Sequence, residues 1–213
     1  METAKSAIYW DSVAGKKVFA TPVPHDFLKK YLPSDGAILE IGCGYGRVLE
    51  ELRHRGFNRL YGTDCSNRMI DLARHRLGTE VYLEVSDSSH LEFADATFDA
   101  VLLIAVLISI VETEVEKSLV SEVLRVLKPG GVVCVNDLLI SDKGRRYTLS
   151  VDEFGAKGIF LADGRLPVKH CAEDRYRSLF SDFNFLRWKT LDWLSMNGNP
   201  DTGVSFVAQK NKQ

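Results

Sequence analysis

The sequence predicts an α/β protein with a mostly parallel, doubly wound sheet and helices on both faces. Two observations support this prediction. Short apolar segments alternate with segments of helical periodicity over residues 37–137, which is the pattern of repeated strand–helix–strand units. Two further apolar stretches near the C-terminus are joined by the turn-forming residues 197–200, which predicts an antiparallel pair at the edge of the sheet.

Composition limits the classes of protein to consider. A length of 213 residues suits a single domain. The net charge of -2 gives no general electrostatic reason to bind nucleic acid or an anionic membrane. The longest apolar run, 101–108, is too short to span a bilayer, and the N-terminus lacks the apolar region of a signal peptide. We therefore expect neither DNA nor a membrane as a partner.

The four cysteines predict reduced thiols in a cytoplasmic protein. They are Cys43, Cys65, Cys134 and Cys171. Because no two of them form a CxxC pair, neither a zinc site nor a redox motif is expected. The sequence predicts no metal site, and it is compatible with a monomer or a homodimer.

The individual elements follow in order along the chain. Residues 1–36 should form one or two helices that make an N-terminal cap. Apolar runs predict buried parallel strands at 37–41, 59–63, 80–85, 98–104 and 132–135. Helical spacing predicts a helix at 46–55, a second one between an N-capping Ser66 and Gly78, and a third at 112–127. The Lys-Pro-Gly-Gly segment at 128–131 should end the third helix.

The C-terminal part has a different pattern. Residues 138–168 are polar without a clear period, 172–181 look helical, and 183–194 and 204–209 look like strands. We therefore predict one domain over 1–213 with four parts: a helical cap (1–36), a ligand-binding core (37–137), an insertion that could cover the site (138–182) and a C-terminal antiparallel hairpin (183–213).

The turn after the first predicted strand has the composition of a binding loop. Glu40 lies at the end of the strand, two residues before the first glycine, and Gly42, Gly44 and Gly46 follow at every second position. A dinucleotide fingerprint would require a small residue where Arg47 stands, and a carboxylate is unfavourable beside a pyrophosphate. S-adenosyl-L-methionine fits better, because it carries an ammonium and a sulfonium and has no phosphate. A glycine turn used only for tight packing is the alternative.

Two later segments could hold the adenosine half of that cofactor. Asp64 ends the second predicted strand about 20 residues after the first glycine, where a carboxylate accepts both ribose hydroxyls in other adenosine sites. Helix capping by Asp64 is the alternative, although Ser66 is better placed for it. Asp87 and Ser88 follow the third strand and could bind the adenine amino group, or could be ordinary turn residues.

Four segments together resemble the class I S-adenosylmethionine-dependent methyltransferases. They are ILEIGCGYG, LYGTDCSNRMIDLAR, VSDSSHLEFADATFDAVLLIAVL and EVLRVLKPGGVVCVND, in the family's order and spacing over 37–137. The resemblance implies a Rossmann-like sheet of seven strands with an antiparallel C-terminal strand. It also implies methyl transfer from S-adenosyl-L-methionine, with S-adenosyl-L-homocysteine as product.

The resemblance also implies a set of cofactor contacts. The acid and glycines would surround the methionine part, Asp64 the ribose, and Cys65 and Met69 the adenine. Ile104 would offer a backbone carbonyl to the ammonium. The complete set is Glu40, Gly42, Cys43, Gly44, Gly46, Asp64, Cys65, Met69, Asp87, Ser88, Ile104 and Leu107.

The acceptor is less well defined, and a small molecule is the leading prediction. Segment 105–110 is almost wholly apolar and lacks both the histidine of many small-molecule enzymes and the Pro-Pro-aromatic signature of DNA amino-methylating enzymes. His170 and Tyr147, in the insertion, are the candidate general bases, with a packing histidine as the alternative for His170. Tyr9 and Trp10 are candidate lid or substrate residues. Trp188 and Trp193, on the predicted C-terminal hairpin, are predicted to lie in the core or at an interface rather than at the substrate.

Three other functions remain as alternatives from the sequence. Charge can be local, so a protein or RNA acceptor is possible. A cofactor-binding regulatory subunit without catalysis would also explain the apolar segment after the fourth strand. Nicotinamide-dependent oxidoreduction is disfavoured by Glu40 and Arg47.

Overall fold

Seven strands of the described chain form one sheet. The structure, a computed structural model, describes residues 2–23, 25–87, 90–141, 158–162, 164–196, 198 and 200–212. The strands are β1 (Ala37–Ile41), β2 (Arg59–Asp64), β3 (Tyr82–Val85), β4 (Phe98–Ile104), β5 (Leu127–Leu138), β6 (Ile159–Ala162), β7 (Leu166–Lys169), β8 (Asn184–Leu194) and β9 (Pro200–Gln209). The sheet has the order β3-β2-β1-β4-β5-β9-β8, and β6 pairs with β7 in a separate hairpin.

The topology confirms the predicted fold class. Strands β1 to β5 pair in parallel, whereas β9 is antiparallel to both β5 and β8. The carboxyl ends of β1 to β5 and of β8 therefore lie at one edge of the sheet. The strand order reverses between β1 and β4, and in open α/β sheets this switch point is where ligands bind.

The central strands are apolar throughout because both of their faces are covered. All five residues of β1 are buried. Along β4, Val101 and Leu103 pack into one apolar cluster, and Ala100 and Leu102 pack into the other. A strand that is buried on both faces has no polar alternation, which explains why these segments read as short apolar runs.

The helices cover the two faces and agree with the predicted pattern. They are α1 (Glu2–Val13), α2 (His25–Tyr31), α3 (Arg47–His54), α4 (Asn67–Leu77), α5 (Thr113–Val126) and α6 (Glu173–Leu179). The Ser66 hydroxyl caps α4 by accepting a hydrogen bond from the Met69 N–H at 3.0 Å. No helix among the described residues is long and apolar enough to cross a membrane.

Several predicted boundaries were wrong. Strand β3 begins at Tyr82 rather than at residue 80. The Lys-Pro-Gly-Gly segment follows the end of α5, as predicted, but it is part of strand β5. Leu127 of this strand already pairs with Phe98, and a register shift between Phe98 and Ala100 accommodates the extra residues before Val132. Strand β9 also begins earlier than predicted, at Pro200.

The hairpin of β6 and β7 is the element that the sequence did not predict. Phe160, Leu166 and Val168 of this hairpin pack with Tyr9 and Val13 of α1. Each strand has only four residues, and the apolar partner of the hairpin lies at the other end of the chain. A short local window of sequence therefore contains no period that would reveal it.

A buried ionic cluster attaches this hairpin to the helices. Glu116 of α5 is 1% exposed, and its Oε1 lies 2.7 Å from Nζ of Lys169, the last residue of β7. Its Oε2 contacts the Arg175 guanidinium of α6. Lys169 Nζ also donates to the Val111 carbonyl at 3.3 Å. One carboxylate therefore joins the hairpin, α5 and α6.

Replacing Lys169 with methionine should lower the free energy of unfolding by about 2–4 kcal/mol. The change leaves the buried Glu116 carboxylate with one cation fewer, and a broken buried ion pair is costly. Denaturant unfolding followed by circular dichroism measures the loss.

Lys117→Met is the matched control. Lys117 Nζ lies 2.8 Å from Glu114 Oε1, but both side chains are exposed, so its loss should stay below about 1 kcal/mol. Equal losses in the two variants would contradict the role given to the buried cluster.

Candidate functional site

A cavity lies at the carboxyl edge of the sheet, around the switch point between β1 and β4. Its floor is formed by the ends of β1, β2 and β4, and its cover by α1, residues 19–21 and the β6–β7 hairpin. The described lining residues are Ser6, Tyr9, Trp10, Phe19, Ala20, Thr21, Glu40, Ile41, Gly42, Cys43, Arg47, Asp64, Cys65, Met69, Ser86, Asp87, Ile104, Ala105, Val106, Ile108, Ser109, Ile110, Val115, Leu138, Phe160, Ala162, Leu166, Val168, His170, Trp193, Ser195 and Met196.

Glu40 is the most unusual group in this cavity. Its side chain is buried, and its Oε2 has no hydrogen-bond partner among the described residues. Burial raises the pKa of the carboxyl well above its usual range, and the positive charge of Arg47 opposes that shift. A buried carboxylate that lacks a partner favours a cationic ligand beside it. The contact of Glu40 with a ligand ammonium stays a prediction, and the burial of this carboxyl supports it.

Arg47 is held by the chain itself. One guanidinium nitrogen lies 3.1 Å from Glu51 Oε1, and another donates to the Thr21 carbonyl at 2.6 Å. The Asn136 amide donates to the neighbouring Pro22 carbonyl, also at 2.6 Å. These two hydrogen bonds fix residues 19–22 over the cavity. Arg47, which departs from the dinucleotide fingerprint, therefore holds in place part of the segment that covers the cavity.

Asp64 joins the loops that follow β1 and β2. Its Oδ2 accepts the Gly44 N–H at 2.8 Å, and its Oδ1 accepts the Ser66 N–H at 2.9 Å. Burial raises the pKa of this carboxyl, although the two N–H groups oppose the shift. Ser66, not Asp64, caps α4. The proposed ribose contact stays a prediction, and each oxygen retains a lone pair for it.

The three glycines of the loop all have positive φ, between 54° and 79°. A Cβ on Gly42 would lie 2.7 Å from Val106 Cγ2, one on Gly44 would lie 2.5 Å from the Phe19 ring, and one on Gly46 would lie 2.7 Å from Leu77. Each glycine thus leaves room for another part of the chain. Gly42 lines the cavity, whereas Gly44 and Gly46 are absent from its described lining.

Aromatic residues cover the glycine loop. The Phe19 ring stacks on Tyr45 with centroids 4.8 Å apart, and the Phe19 N–H donates to the Tyr45 hydroxyl at 2.9 Å. Trp10 meets Phe19 edge to face at 5.9 Å. Tyr9 and Trp10 both line the cavity, where the sequence placed candidate lid residues.

Of the other predicted cofactor residues, some line the cavity and others do not. Cys65, Met69, Asp87 and Ile104 line the cavity together with Cys43. Burial raises the pKa of the Cys65 thiol to about 12, with Asp64 as a second cause, so this thiol is neutral at physiological pH. Leu107 is fully buried in the apolar core and is absent from the described lining. Ser88 lies outside the described residues.

The candidate bases lie in the segment predicted as an insertion. His170 follows β7, is buried, lines the cavity, and meets Phe160 edge to face at 5.0 Å. Tyr147 lies outside the described residues. The structure thus gives His170 both a packing contact and a place on the cavity wall.

Three cavity residues were missed by sequence reasoning or assigned elsewhere. Phe19 and Phe160 stand in segments without a clear period. Trp193 was assigned to the core or to an interface, but it lines the cavity from the end of β8. Its position next to the turn at the carboxyl edge of the sheet was the available signal. The described residues contain no group of three or more histidine, cysteine or acidic side chains arranged to hold a metal ion.

The loop after β4 is held by a buried carboxylate. Asp137, at the end of β5, accepts the Ile108 N–H at 3.3 Å and the Leu138 N–H at 2.8 Å. Burial raises the pKa of Asp137 to about 7, the two N–H groups oppose this shift, and the charge of Glu116 adds to it. Ile108 lines the cavity, so Asp137 positions part of the wall without reaching it.

Asp137 should make stability depend on pH. Its pKa is about 7 in the folded protein and about 3.9 in an unfolded chain. Its stabilising contribution is therefore complete below about pH 4 and is lost as the pH rises through about 7. The wild type should lose roughly 2–4 kcal/mol relative to Asp137→Asn between about pH 4 and pH 8. Denaturant unfolding at a series of pH values measures this, and parallel profiles would refute it.

Comparisons with known proteins agree with this architecture. A family model described as a methyltransferase domain matches residues 38–131. A C-methyltransferase of ubiquinone and menaquinone biosynthesis from Desulfotalea psychrophila is 36% identical over 108 residues, which are 49% of this chain and 42% of that protein. The chain spans about two fifths of the length of the first curated relatives that it matches.

Solved structures extend the similarity to nearly the whole fold. A SAM-dependent methyltransferase from Methanosarcina mazei superposes with a TM-score of 0.83 and 25% identity, over 91% of this chain and 100% of that one. Geranyl diphosphate C-methyltransferase from Streptomyces coelicolor, crystallised with S-adenosyl-L-homocysteine, has a TM-score of 0.68 and 13% identity, over 98% and 97% of the two chains.

The fold, the cavity and the matching domain define a cofactor-dependent methyltransferase architecture. Residues 38–131 match the methyltransferase-domain model, and the fold is similar to that of solved SAM-dependent methyltransferases. The cofactor of this family is S-adenosyl-L-methionine.

Proposed function

We propose that this chain transfers a methyl group from S-adenosyl-L-methionine to a small-molecule acceptor. The observation that carries the proposal is Glu40, a buried carboxylate at the switch point whose Oε2 lacks a partner among the described residues. The cover of α1 and the β6–β7 hairpin supports a small acceptor over a polymer. The free thiols of the described cysteines fit the cytoplasmic location that we also propose.

In this proposal the polar groups of the cavity hold the cofactor. Glu40 binds the ammonium, and the ligand carboxylate lies against the loop at Gly42, where the glycine lets the ligand approach the backbone closely. Asp64 binds the ribose, while Cys65 and Met69 contact the adenine. Asp87, which is exposed at the edge of the cavity, binds the adenine amino group.

The residues of the chain would act mainly by positioning and by excluding water. The cofactor supplies a methyl group already activated by the sulfonium, and the reaction is an in-line displacement. The apolar cover around Phe160 and Val168 removes water from the acceptor atom. His170 accepts the proton that a hydroxyl or amine acceptor must lose, and Tyr147 is the second candidate for this role.

Calorimetry with S-adenosyl-L-homocysteine, S-adenosyl-L-methionine and NAD tests the cofactor assignment. We expect both sulfur compounds to bind with micromolar affinity and NAD not to bind. Absence of binding by either sulfur compound at millimolar concentration would overturn the proposal. Methylated product from a panel of acceptors then distinguishes an enzyme from a regulatory binder.

Glu40→Gln should weaken the binding of S-adenosyl-L-homocysteine at least tenfold. The ligand ammonium loses a charged partner, a hydrogen bond worth about 1.5–3 kcal/mol. The free energy of unfolding without ligand should not fall, because glutamine avoids burying a charge. Wild-type affinity should rise as the pH rises, since the raised pKa of Glu40 must be exceeded before the carboxylate forms.

Calorimetry between about pH 5 and pH 8 measures this dependence, which the Glu40→Gln variant should lack. Glu50→Gln is the matched control, because Glu50 pairs with Arg76 at 3.3 Å on the outside of α3. An affinity for S-adenosyl-L-homocysteine that is the same in Glu40→Gln and the wild type would rule out the ammonium contact.

His170→Ala should lower kcat at least about 100-fold with a hydroxyl or amine acceptor from the panel, because a general base contributes about 10²–10⁴-fold. The Kd of S-adenosyl-L-homocysteine should not change. His75→Ala, on the exposed face of α4, is the control. An unchanged kcat, or a loss that is the same at every pH, would assign His170 to packing instead.

A further inference from the structure

We propose that the acceptor is an uncharged, mostly apolar molecule with a flat ring that binds against the indole of Trp193. This inference rests on the methyl transfer proposed above and names the class of acceptor for the same cavity. It is carried by the distribution of charge along the cavity and by the packing of Trp193 on β9.

The lining of the cavity changes character from one half of the sheet edge to the other. At the ends of β1, β2 and β3 it carries Glu40, Asp64 and Asp87, with Arg47 beside them. At the ends of β4, β5 and β8 and under the hairpin, the described lining is aliphatic or aromatic apart from Ser109, Ser195 and His170. Its apolar members are Ile108, Ile110, Val115, Leu138, Phe160, Ala162, Leu166, Val168, Trp193 and Met196.

Three charged residues near this apolar half bind each other. Lys169 and Arg175 both bind Glu116, and none of these three residues is part of the described lining. A charged acceptor would therefore lose its hydration here without gaining an opposite charge from the described wall. That loss is costly, which favours an uncharged acceptor.

Trp193 provides a flat surface in this half. A Cβ on Gly203 of β9 would lie 1.9 Å from Trp193 Cη2 and 2.4 Å from Cζ3, so the indole lies directly on the backbone of Gly203. The glycine is required for space, because its φ is not in the positive range. The backbone supports one side of the ring, and the residue remains partly exposed at the cavity.

The second tryptophan of β8 shows the contrast. Trp188 stacks on Phe206 with centroids 5.0 Å apart, and its Nε1 donates to Glu173 Oε2 at 3.0 Å. It is absent from the described cavity lining. Its contacts are those of a core residue, whereas Trp193 has a supported ring at the cavity wall, where a planar ligand can stack on it.

Tryptophan also attracts cations over its face, but a cationic acceptor is disfavoured. The carboxylates in the described lining belong to the other half of the cavity. Ser109 and Ser195 can satisfy one or two uncharged polar atoms of the acceptor, and His170 can take a proton from the atom that is methylated.

Three naphthalene probes test the inference by calorimetry with the full chain, with and without saturating S-adenosyl-L-homocysteine. They are 2-naphthol, which is neutral at pH 7, the 2-naphthoate anion and the 2-naphthylmethylammonium cation. We expect 2-naphthol to bind at least about tenfold more tightly than either ion. Equal or tighter binding of an ion, or no binding of 2-naphthol, would overturn the inference.

Variants assign the binding to Trp193. Trp193→Leu should weaken 2-naphthol binding about tenfold, and Gly203→Ala should weaken it similarly by displacing the ring. Trp188→Leu is the matched control from the same strand and should not change it. All variants are measured below their thermal midpoints. An unchanged affinity of Trp193→Leu would reject the role of the indole.

The same samples separate this inference from the proposed function. The Kd of S-adenosyl-L-homocysteine should be equal in the wild type and in Trp193→Leu, because Trp193 lies in the other half of the cavity. If S-adenosyl-L-homocysteine fails to bind, the methyl-transfer proposal is wrong, whatever the probes do. If it binds and the probes do not discriminate, only the acceptor class is wrong.

Discussion

The site depends on one constraint: near the end of the first strand of the sheet lies the buried carboxyl group of Glu40, whose Oε2 has no hydrogen-bond partner among the described residues. Strand β1 lies between two parallel strands and is covered on both faces, so the Glu40 side chain is almost entirely shielded from bulk water. The nearby Arg47 is engaged by Glu51 and Thr21. An unpaired charge at such a position is stable only if it is neutralised by a proton or by a cationic ligand. The environment of Glu40 therefore supports the cationic ligand that we propose for this cavity.

The glycines serve the fold as well as the proposed ligand. Gly44 makes room for Phe19, and Gly46 makes room for Leu77. Asp64 likewise holds Gly44 and Ser66 through their N–H groups. The residues that identify the family from sequence thus maintain the shape of the loop, and the unpaired polar atom that points to a ligand belongs to Glu40.

The cover and the apolar half of the cavity are held together by contacts between distant parts of the chain. Tyr9 near the N-terminus packs with Leu166 and Val168 of the hairpin. Glu116 fixes the other side of that hairpin through Lys169. Glu116 binds both Lys169 and Arg175, and none of these three residues is part of the described lining, which is apolar next to them. The ionic cluster of Glu116, Lys169 and Arg175 therefore stabilises the β6–β7 hairpin, and its charged groups stay outside the described lining.

Local sequence determined the core of this protein. Apolar runs indicated β1, β2, β4 and β5 because these strands are buried on both faces, and Ser66 with its following apolar spacing indicated α4. Glu40, the glycines and Asp64 could be recognised from the sequence because the polar residues of a strand-to-helix turn lie within a few positions of one another in the chain. Those signals sufficed for the fold class, and they identified Glu40, Gly42 and Asp64, which the fold brings to one cavity.

Only the tertiary structure showed the features that depend on contacts between residues far apart in the chain. The β6–β7 hairpin has strands too short to show a period, and its partner is α1. Trp193 looked like a core tryptophan until the sheet placed it on Gly203 at the cavity wall. Leu107, expected near the cofactor, is instead buried in the core. The apolar half of the cavity is assembled from distant segments, so the polarity of its wall is visible only in the folded chain.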